Sequence, residues 1–214
     1  MINKKIENQS NDSLFFTRSN LDNSKVDKIV SDALHKADDG ELFMEFCESE
    51  SFVYDDQRLK SASFDTSKGF GLRAIAGESS GYAHSSDIDE NALKKASETV
   101  NFITKDHNAN FNANFSKTNR KLYNEINPIN ETEFSEKVET LKKIDEYARS
   151  KNPNVKQVSA SLNGEWQAVR IYRPGGIMIE DLRPLVRLYV SIVLEKDGRQ
   201  ENGSRGSGGR VDSV

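Results

Sequence analysis

The sequence predicts an α+β fold, with antiparallel strands packed against amphipathic helices. Two long runs, 41–84 and 155–201, alternate polar and apolar residues and contain short turns, which is typical of paired strands. Helical patterns, with apolar residues three or four positions apart, flank the first run and precede the second. The order is helix, strands, helix, then a polar linker, a helix and strands. Strand runs separated from helices in this way favour α+β over alternating α/β architecture.

Composition limits the function classes. The 214 residues are 30% charged and 35% hydrophobic, as expected of a globular protein. A formal charge of −4 argues against a nucleic-acid binder, which would carry a basic stripe. The sequence contains no run of 18 apolar residues, so it predicts no membrane span. The first residues lack a secretory signal, so we expect a cytoplasmic protein. The single cysteine, Cys47, excludes an internal disulfide and a cysteine-cluster zinc site.

Residues 1–20 are predicted to form a flexible arm that docks through an apolar patch at Leu14–Phe16. A helix follows, with a candidate N-cap at Asp22–Ser24 and a C-terminal end at Gly40. Its apolar stripe consists of Val26, Ile29, Val30, Ala33, Leu34 and Ala37.

The first strand run is centred on Ser61–His84, which we predict as two short strands, each with a wetter and a drier face. Before it, Glu41–Ser49 is a predicted strand, and the turn at Asp55–Gln57 indicates a hairpin. Gly69 and Gly71 lie inside the strand pattern, where paired glycines mark a bulge or the close approach of another backbone.

The middle of the chain contains two predicted helices and a polar segment. Asp89 caps the first helix, and Asn130 with Glu133 resembles a capping box for the second. Between them, 104–129 includes a doubled NANF tetrapeptide and is predicted to be a polar loop, because it has too few apolar residues to pack. The second helix is expected to bury Phe134, Val138, Leu141, Ile144 and Ala148.

The second strand run contains three predicted turns, at Asn163-Gly164, Pro174–Gly176 and Asp197-Gly198. Between the last two, one strand face is continuously apolar: Val186, Leu188, Val190, Ile192 and Leu194. Residues 202–214 are rich in glycine and serine and are predicted to be a tail. The folded domain is therefore expected to span 21–201.

The sequence offers no catalytic, cofactor-binding or metal-binding residue. A catalytic zinc site needs several imidazole or carboxylate ligands and an open position. The three histidines, His35, His84 and His107, have no second histidine at ligand spacing, so surface or structural roles are favoured. Cys47 has no histidine partner nearby and is interpreted as a small buried residue.

Three further patterns also favour plain structural roles. Gly69-Phe70-Gly71 lacks the third glycine and the following helix of a dinucleotide-binding loop. The glycines of Gly203–Gly209 lack the Lys-Ser/Thr pair of a phosphate-binding loop. The carboxylates Glu45, Glu48 and Glu50 are interpreted as a solvated strand edge.

Four segments together resemble the TldD branch of the TldD/PmbA (TldE) zinc metalloproteases: residues 40–51, 58–84, 155–169 and 183–210. The resemblance implies the N-terminal domain of such an enzyme, with the His-Glu-x-x-x-His zinc site in a separate domain beyond Arg210. No position here matches those ligands, so the chain is expected to be truncated before the metal-binding domain and not hydrolytic alone. A TldE-type partner subunit and unfolded peptide substrates are likewise implied.

Two alternatives remain open from the sequence. One is a non-catalytic α+β module that captures extended peptides by adding them to a sheet edge. The other is a gene fragment without function. The absence of a recognisable active site is compatible with both.

Overall fold

The computed structural model describes residues 11–17, 19–105, 107 and 123–211. Within these residues there are five helices: α1 (Asn11–Phe16), α2 (Asn23–Leu34), α3 (Glu90–Thr104), α4 (Pro128–Glu131) and α5 (Phe134–Lys151). The same residues form six strands: β1 (Asp39–Asp55), β2 (Arg58–Ala76), β3 (Ser79–Ser85), β4 (Val155–Arg173), β5 (Ile177–Lys196) and β6 (Arg199–Gly209). None of the described helices is long and apolar enough to span a membrane.

The described strands form one antiparallel sheet in the order β3-β2-β1-β4-β5-β6, which confirms the α+β class. The strand pairs β2–β3 and β5–β6 are hairpins, with Ala76 opposite Ser79 and Lys196 opposite Arg199. The two predicted strand runs therefore belong to a single sheet, joined where β1 neighbours β4.

The chain divides into two compact units. Unit 1 comprises Met1–Phe46, Ser67–Arg120 and Ala168–Asp181. Within it, α3 packs on β3 and on α2. Most of the predicted apolar stripe of α2 is buried, although Ile29 is only partly buried. Residues of α3 and alternate residues of β1 and β2 are buried with it, and the larger members of this set are Val26, Val30, Leu34, Leu42, Met44, Leu72, Leu93 and Val100.

Unit 2 comprises Cys47–Thr66, Lys121–Gln167 and Leu182–Val214. Its core is built where Leu141 of α5 meets Phe52 and Tyr54 of β1 and Ala160 of β4. Partly buried apolar residues surround this cluster: Val138, Ile144, Leu162, Leu188 and Val190. Leu188 and Val190 come from the predicted apolar face of β5, so that face assignment is confirmed.

Most turn and cap predictions are confirmed. Asp56 and Gln57 have φ of 47° and 67°, and Asp197 and Gly198 have φ of 53° and 77°, as tight hairpin turns require. The side chain of Asp22 accepts a hydrogen bond from the backbone N–H of Lys25 and caps α2. Asp89 caps α3 in the same way.

The predicted hairpin at Asn163-Gly164 is wrong, because both residues lie inside the continuous strand β4. Glycine is needed at position 164 because the side chain of Glu50 lies close to its backbone. A Cβ atom there would lie 3.0 Å from Oε1 of Glu50, so glycine allows a buried side chain to approach. The predicted close approach of another backbone is confirmed at Gly69, where a Cβ would lie 2.8 Å from the carbonyl oxygen of Ser85. At Gly71 the close neighbour is a side chain instead, since a Cβ there would lie 2.6 Å from the hydroxyl of Tyr82.

Two helix boundaries also differ from prediction. Gly40 lies in β1 instead of ending a helix, because α2 already stops at Leu34. The capping box at Asn130 and Glu133 is wrong, since Asn130 belongs to the short helix α4, which Asn127 caps. Glu133 is the N-cap residue of α5, and its side chain makes no capping hydrogen bond.

Segments of the predicted arm and of the predicted tail form regular secondary structure. In the arm, residues 11–16 form α1, and Phe15 and Phe16 are buried, so the apolar patch docks as expected. In the tail, residues 202–209 belong to β6, because backbone pairing with β5 does not depend on apolar side chains. Most of the predicted loop 104–129 lies outside the described residues, but α4 begins inside it at Pro128.

The stretch Ser61–His84 forms a long strand and a short one instead of two short strands. Residues 58–76 are the continuous strand β2, and β3 covers only residues 70–76 of it. Residues 58–68 are exposed throughout, so the predicted drier face of 61–66 is wrong. The reason is that no described strand or helix covers this part of β2.

Leu188→Asp is expected to destabilise the protein by several kcal/mol more than Tyr189→Asp. The first substitution places an unpaired carboxylate against the unit 2 core, whereas Tyr189 is exposed on the other face of β5. Urea denaturation of the two variants measures the difference. Equal midpoints would show that the face of β5 has been assigned incorrectly.

Candidate functional site

The described histidines lie in three separate environments. His35 follows α2, and its Nδ1 lies 2.8 Å from the carbonyl oxygen of Asp32. His84 is on β3, with its ring centroid 5.8 Å from that of Tyr82. The Nε2 of His107 lies 2.8 Å from a carboxylate oxygen of Asp38. Each histidine has a structural contact, as the sequence analysis favoured.

The described residues do not fit a catalytic zinc ion. No group of three or more His, Cys, Asp or Glu side chains that could hold a metal occurs in the part of the chain that the structure describes. Asp38 and His107 are only a pair. Hydrogen bonds from the backbone N–H of Gly77 and from the side chain of His107 lower the pKa of Asp38. Asp38 and His107 are both partly exposed, as expected of a surface hydrogen-bonded pair.

A buried ion pair lies at the centre of unit 2. Both carboxylate oxygens of Glu50, on β1, accept hydrogen bonds from Nζ of Lys137, at 2.6 and 2.8 Å. Lys137 is on α5 and also donates to the carbonyl oxygen of Ile129, in α4, at 2.8 Å. Each of the two charged residues is only 5% exposed. The pair therefore joins one strand to two helices, with every donor direction of the ammonium in use.

Glu50 corrects the expectation that the acidic residues of β1 form a solvated edge. Glu50 is buried, and Glu48, which is partly buried, accepts a 2.6 Å hydrogen bond from the side chain of Asn127. Burial raises the pKa of Glu50 above its ordinary value, while the hydrogen bonds and charge of Lys137 act in the opposite direction. These carboxylates are therefore built into the fold.

A second buried carboxylate, which is on α5, is hydrogen-bonded to the β1–β2 turn. Asp145 is 1% exposed and accepts hydrogen bonds from the backbone N–H of Gln57, at 3.3 Å, and from Nε of Arg149, at 2.8 Å. Arg149 also donates to Asp56 at 2.5 Å. The turn, which has two non-glycine residues at positive φ, is thus bonded to the helix.

Unit 1 contains a corresponding buried cation, Arg170 on β4. Its guanidinium lies 5.1 Å from the ring centroid of Phe15 and 5.5 Å from that of Phe16, both on α1. It forms ion pairs with Asp12, at 2.7 Å, and with Glu180. Arg170 is therefore the group that fixes α1 to the sheet.

Two strand edges of unit 2 have only one neighbour. Residues 58–66 of β2 lie beyond the reach of β3, and β6 is last in the strand order of the described sheet. A polar trough of about 450 Å³ also lies in this unit, lined by Ser49, Glu50, Ser51, Ser63, Asn163, Gly164, Glu165, Leu185 and Arg187. Free edges and exposed hydroxyl groups suit main-chain hydrogen bonding by an extended peptide.

Sequence reasoning missed the buried charges on α5. The predicted stripe placed Phe134 inside, yet Phe134 is 47% exposed. The buried residues of this helix are Lys137, Leu141 and Asp145, which are spaced four apart. That spacing is the signal that could have found them, but charged residues are ordinarily assigned to the solvated face.

Lys137→Met is expected to destabilise the protein by about 3–5 kcal/mol, because it leaves Glu50 buried without a partner. The double variant Glu50→Leu/Lys137→Met should recover most of that loss, since it removes both charges. Lys142→Met, at an exposed position of α5, is the matched control and should cost less than about 0.5 kcal/mol. Urea unfolding measures all three. A Lys137 variant as stable as the control would contradict the assigned role.

Glu50→Gln should change how stability depends on pH. The folded-state pKa of Glu50 is raised, so the stability that its protonated form contributes is fully present below the ordinary value of 4.5. It is lost as the pH rises through the folded-state pKa. The stability of the unsubstituted chain relative to Glu50→Gln should therefore fall above pH 4.5 in urea titrations. If the stability of the unsubstituted chain relative to Glu50→Gln instead rose with pH, burial would not be the dominant influence on the pKa of Glu50.

Comparison with known proteins gives matches along most of the chain. The family model described as PmbA/TldA metallopeptidase domain 1 matches residues 40–101, and the central-domain model of that family matches 127–214. The chain is 34% identical over 198 residues to a metalloprotease TldD homolog from Haemophilus influenzae, and 28% identical over 197 residues to one from Buchnera aphidicola. Each alignment covers 91% of this chain and 41% of the relative.

Among solved structures, TldE from Thermococcus kodakarensis has the same fold, with a TM-score of 0.69 at 17% identity. That alignment covers 87% of this chain and 43% of the TldE chain. This chain therefore spans about two fifths of the length of the relatives it matches. Two domain models of one family, in the expected order, together with the TldD homologs, show that the chain belongs to the PmbA/TldA metallopeptidase family.

Proposed function

We propose that this chain forms the N-terminal, non-hydrolytic portion of a TldD-type metallopeptidase subunit. The proposed subunit works with a TldE-type partner on unfolded peptides in the cytoplasm. The observation that carries the proposal is the consecutive match to the first and central domains of the family, along with relatives named as TldD homologs. The fold shared with a TldE structure supports the pairing of two subunits with similar architecture.

The zinc ion expected of a metallopeptidase does not fit the described residues of this chain, so we derive no catalytic step here. The relatives are more than twice as long as the matched region. In the proposal, zinc binding and peptide hydrolysis belong to the part of a full-length subunit beyond that region. The units described here would position and admit the peptide.

A second candidate function is peptide binding without hydrolysis. The specific observation in its favour is that unit 2 has two strand edges with a single neighbour, residues 58–66 of β2 and the strand β6. An extended peptide can add to such an edge through main-chain hydrogen bonds. This activity could serve the proposed subunit or a separate binding protein.

The purified chain is expected to bind less than one equivalent of zinc and to leave casein and unfolded peptides uncleaved, because the described residues supply no ligand set. It should also copurify with a coexpressed TldE-type subunit. Elemental analysis, peptidase assays and affinity purification provide the three measurements. Stoichiometric zinc with chelator-sensitive cleavage would contradict the non-hydrolytic role, and failure to copurify would contradict the pairing.

A further inference from the structure

We propose that the outer edge of residues 58–66 of β2 binds an extended peptide segment that has carboxylates near one end and apolar side chains near the other. This inference rests on the second candidate function, peptide binding, and names the edge and the chemistry of the segment. For brevity we call residues 58–66 the β2 edge.

The backbone of the β2 edge is suited to strand addition. The β2–β3 ladder runs only from residue 70 to residue 76, so among the described residues the β2 edge has no strand on its outer side. All nine residues are exposed. The segment contains neither proline nor glycine, and it is strand along its whole length. Its outward N–H and C=O groups are therefore arranged to pair with another extended chain.

The side chains at the two ends of the β2 edge define the occupant. Arg58 and Lys60 lie at the end next to the β1–β2 turn, and both are exposed. No described carboxylate lies within ion-pair distance of Arg58 or Lys60. Carboxylates of an added strand would therefore find two unneutralised cations at one end of the edge.

The other end of the β2 edge is aromatic. The Phe64 side chain is 59% exposed, and its ring centroid lies 5.7 Å from that of the fully buried Phe52. The ring centroid of the half-exposed Phe134 lies 5.4 Å from that of Phe52 as well. An apolar side chain of an added strand opposite Phe64 would extend this cluster and remove its exposed surface from water.

The edge at β6 lacks this combination. Its Arg199 is already paired with Glu201 at 2.6 Å, and it contains glycines at 203, 206, 208 and 209 and no apolar side chain. Basic residues alone can protect a strand edge from association. An exposed aromatic residue on the same edge does not serve that purpose, so Phe64 distinguishes the β2 edge as a binding edge.

The test is fluorescence anisotropy with the labelled peptide Glu-Glu-Glu-Thr-Val-Val-Val-Thr, which presents carboxylates at one end and apolar side chains at the other on both faces. Its reversed sequence is also measured, because the direction of the added strand is open. At least one of the two should bind. The charge variant Arg58→Glu/Lys60→Glu and the apolar variant Phe64→Thr should each weaken binding about tenfold. The matched control Arg199→Glu/Arg205→Glu, on β6, should leave binding unchanged. Circular dichroism checks that each variant is folded.

Two N-methylated versions of the binding peptide separate strand addition from simple charge attraction. One is methylated at alternate amides and the other at the remaining amides. Since every second amide of an added strand points away from the protein, only one version should lose binding. A lysine-substituted peptide should bind at least about tenfold more weakly.

Each of the following outcomes would overturn the proposal. Loss of binding only in the β6 variant would move peptide capture to the other edge and leave the second candidate function standing. Equal binding by both methylated versions would show that charge alone holds the peptide. Dimerisation of the peptide-free chain that is abolished by Phe64→Thr would identify a second copy as the occupant. If no peptide binds, the second candidate function fails as well.

Discussion

The hydrogen-bonded pair of Glu50 and Lys137 is the constraint on which unit 2 depends. An ammonium and a carboxylate that are both about 95% shielded from water can be tolerated only with near-complete hydrogen bonding. That requirement fixes the rotation of α5 about its axis, because Lys137 must face β1. Once it does, Leu141 and Asp145 face the sheet one and two turns further on. The core contact with Phe52 and the bond to the β1–β2 turn follow from the same rotation.

In unit 1 a buried charged group also joins a helix to a strand, but the cation is on the strand instead of the helix. Here the buried cation, Arg170, is on a strand, and the helix α1 supplies an acidic partner and two aromatic rings. Six residues are too few to form a stable isolated helix, so α1 requires tertiary contacts. A cation that attracts both a carboxylate and aromatic faces selects that short segment more specifically than an apolar surface would.

Periodicity and turn chemistry were sufficient to predict the fold class, the N-caps of α2 and α3 and the inner face of β5. They failed where a residue's role depends on a distant partner. Asn163-Gly164 has the ordinary composition of a hairpin turn, but Gly164 is required by the Glu50 side chain across the sheet. Likewise, no local pattern shows that Lys137 will meet a carboxylate 87 positions away. The strand β6 was missed because its stability comes from backbone pairing with β5, to which its glycines and serines contribute no pattern.

The buried face of α5 ends in an aromatic residue that is only partly covered. Phe134 lies three positions before Lys137 and seven before Leu141, so it is on the same face of the helix, but at the start of α5 it stays half exposed. Its ring contacts that of Phe52, which also contacts the exposed ring of Phe64. The rotation of α5 that brings Lys137 to Glu50 therefore also brings Phe134 to Phe52, and it leaves two partly exposed rings beside an open strand edge.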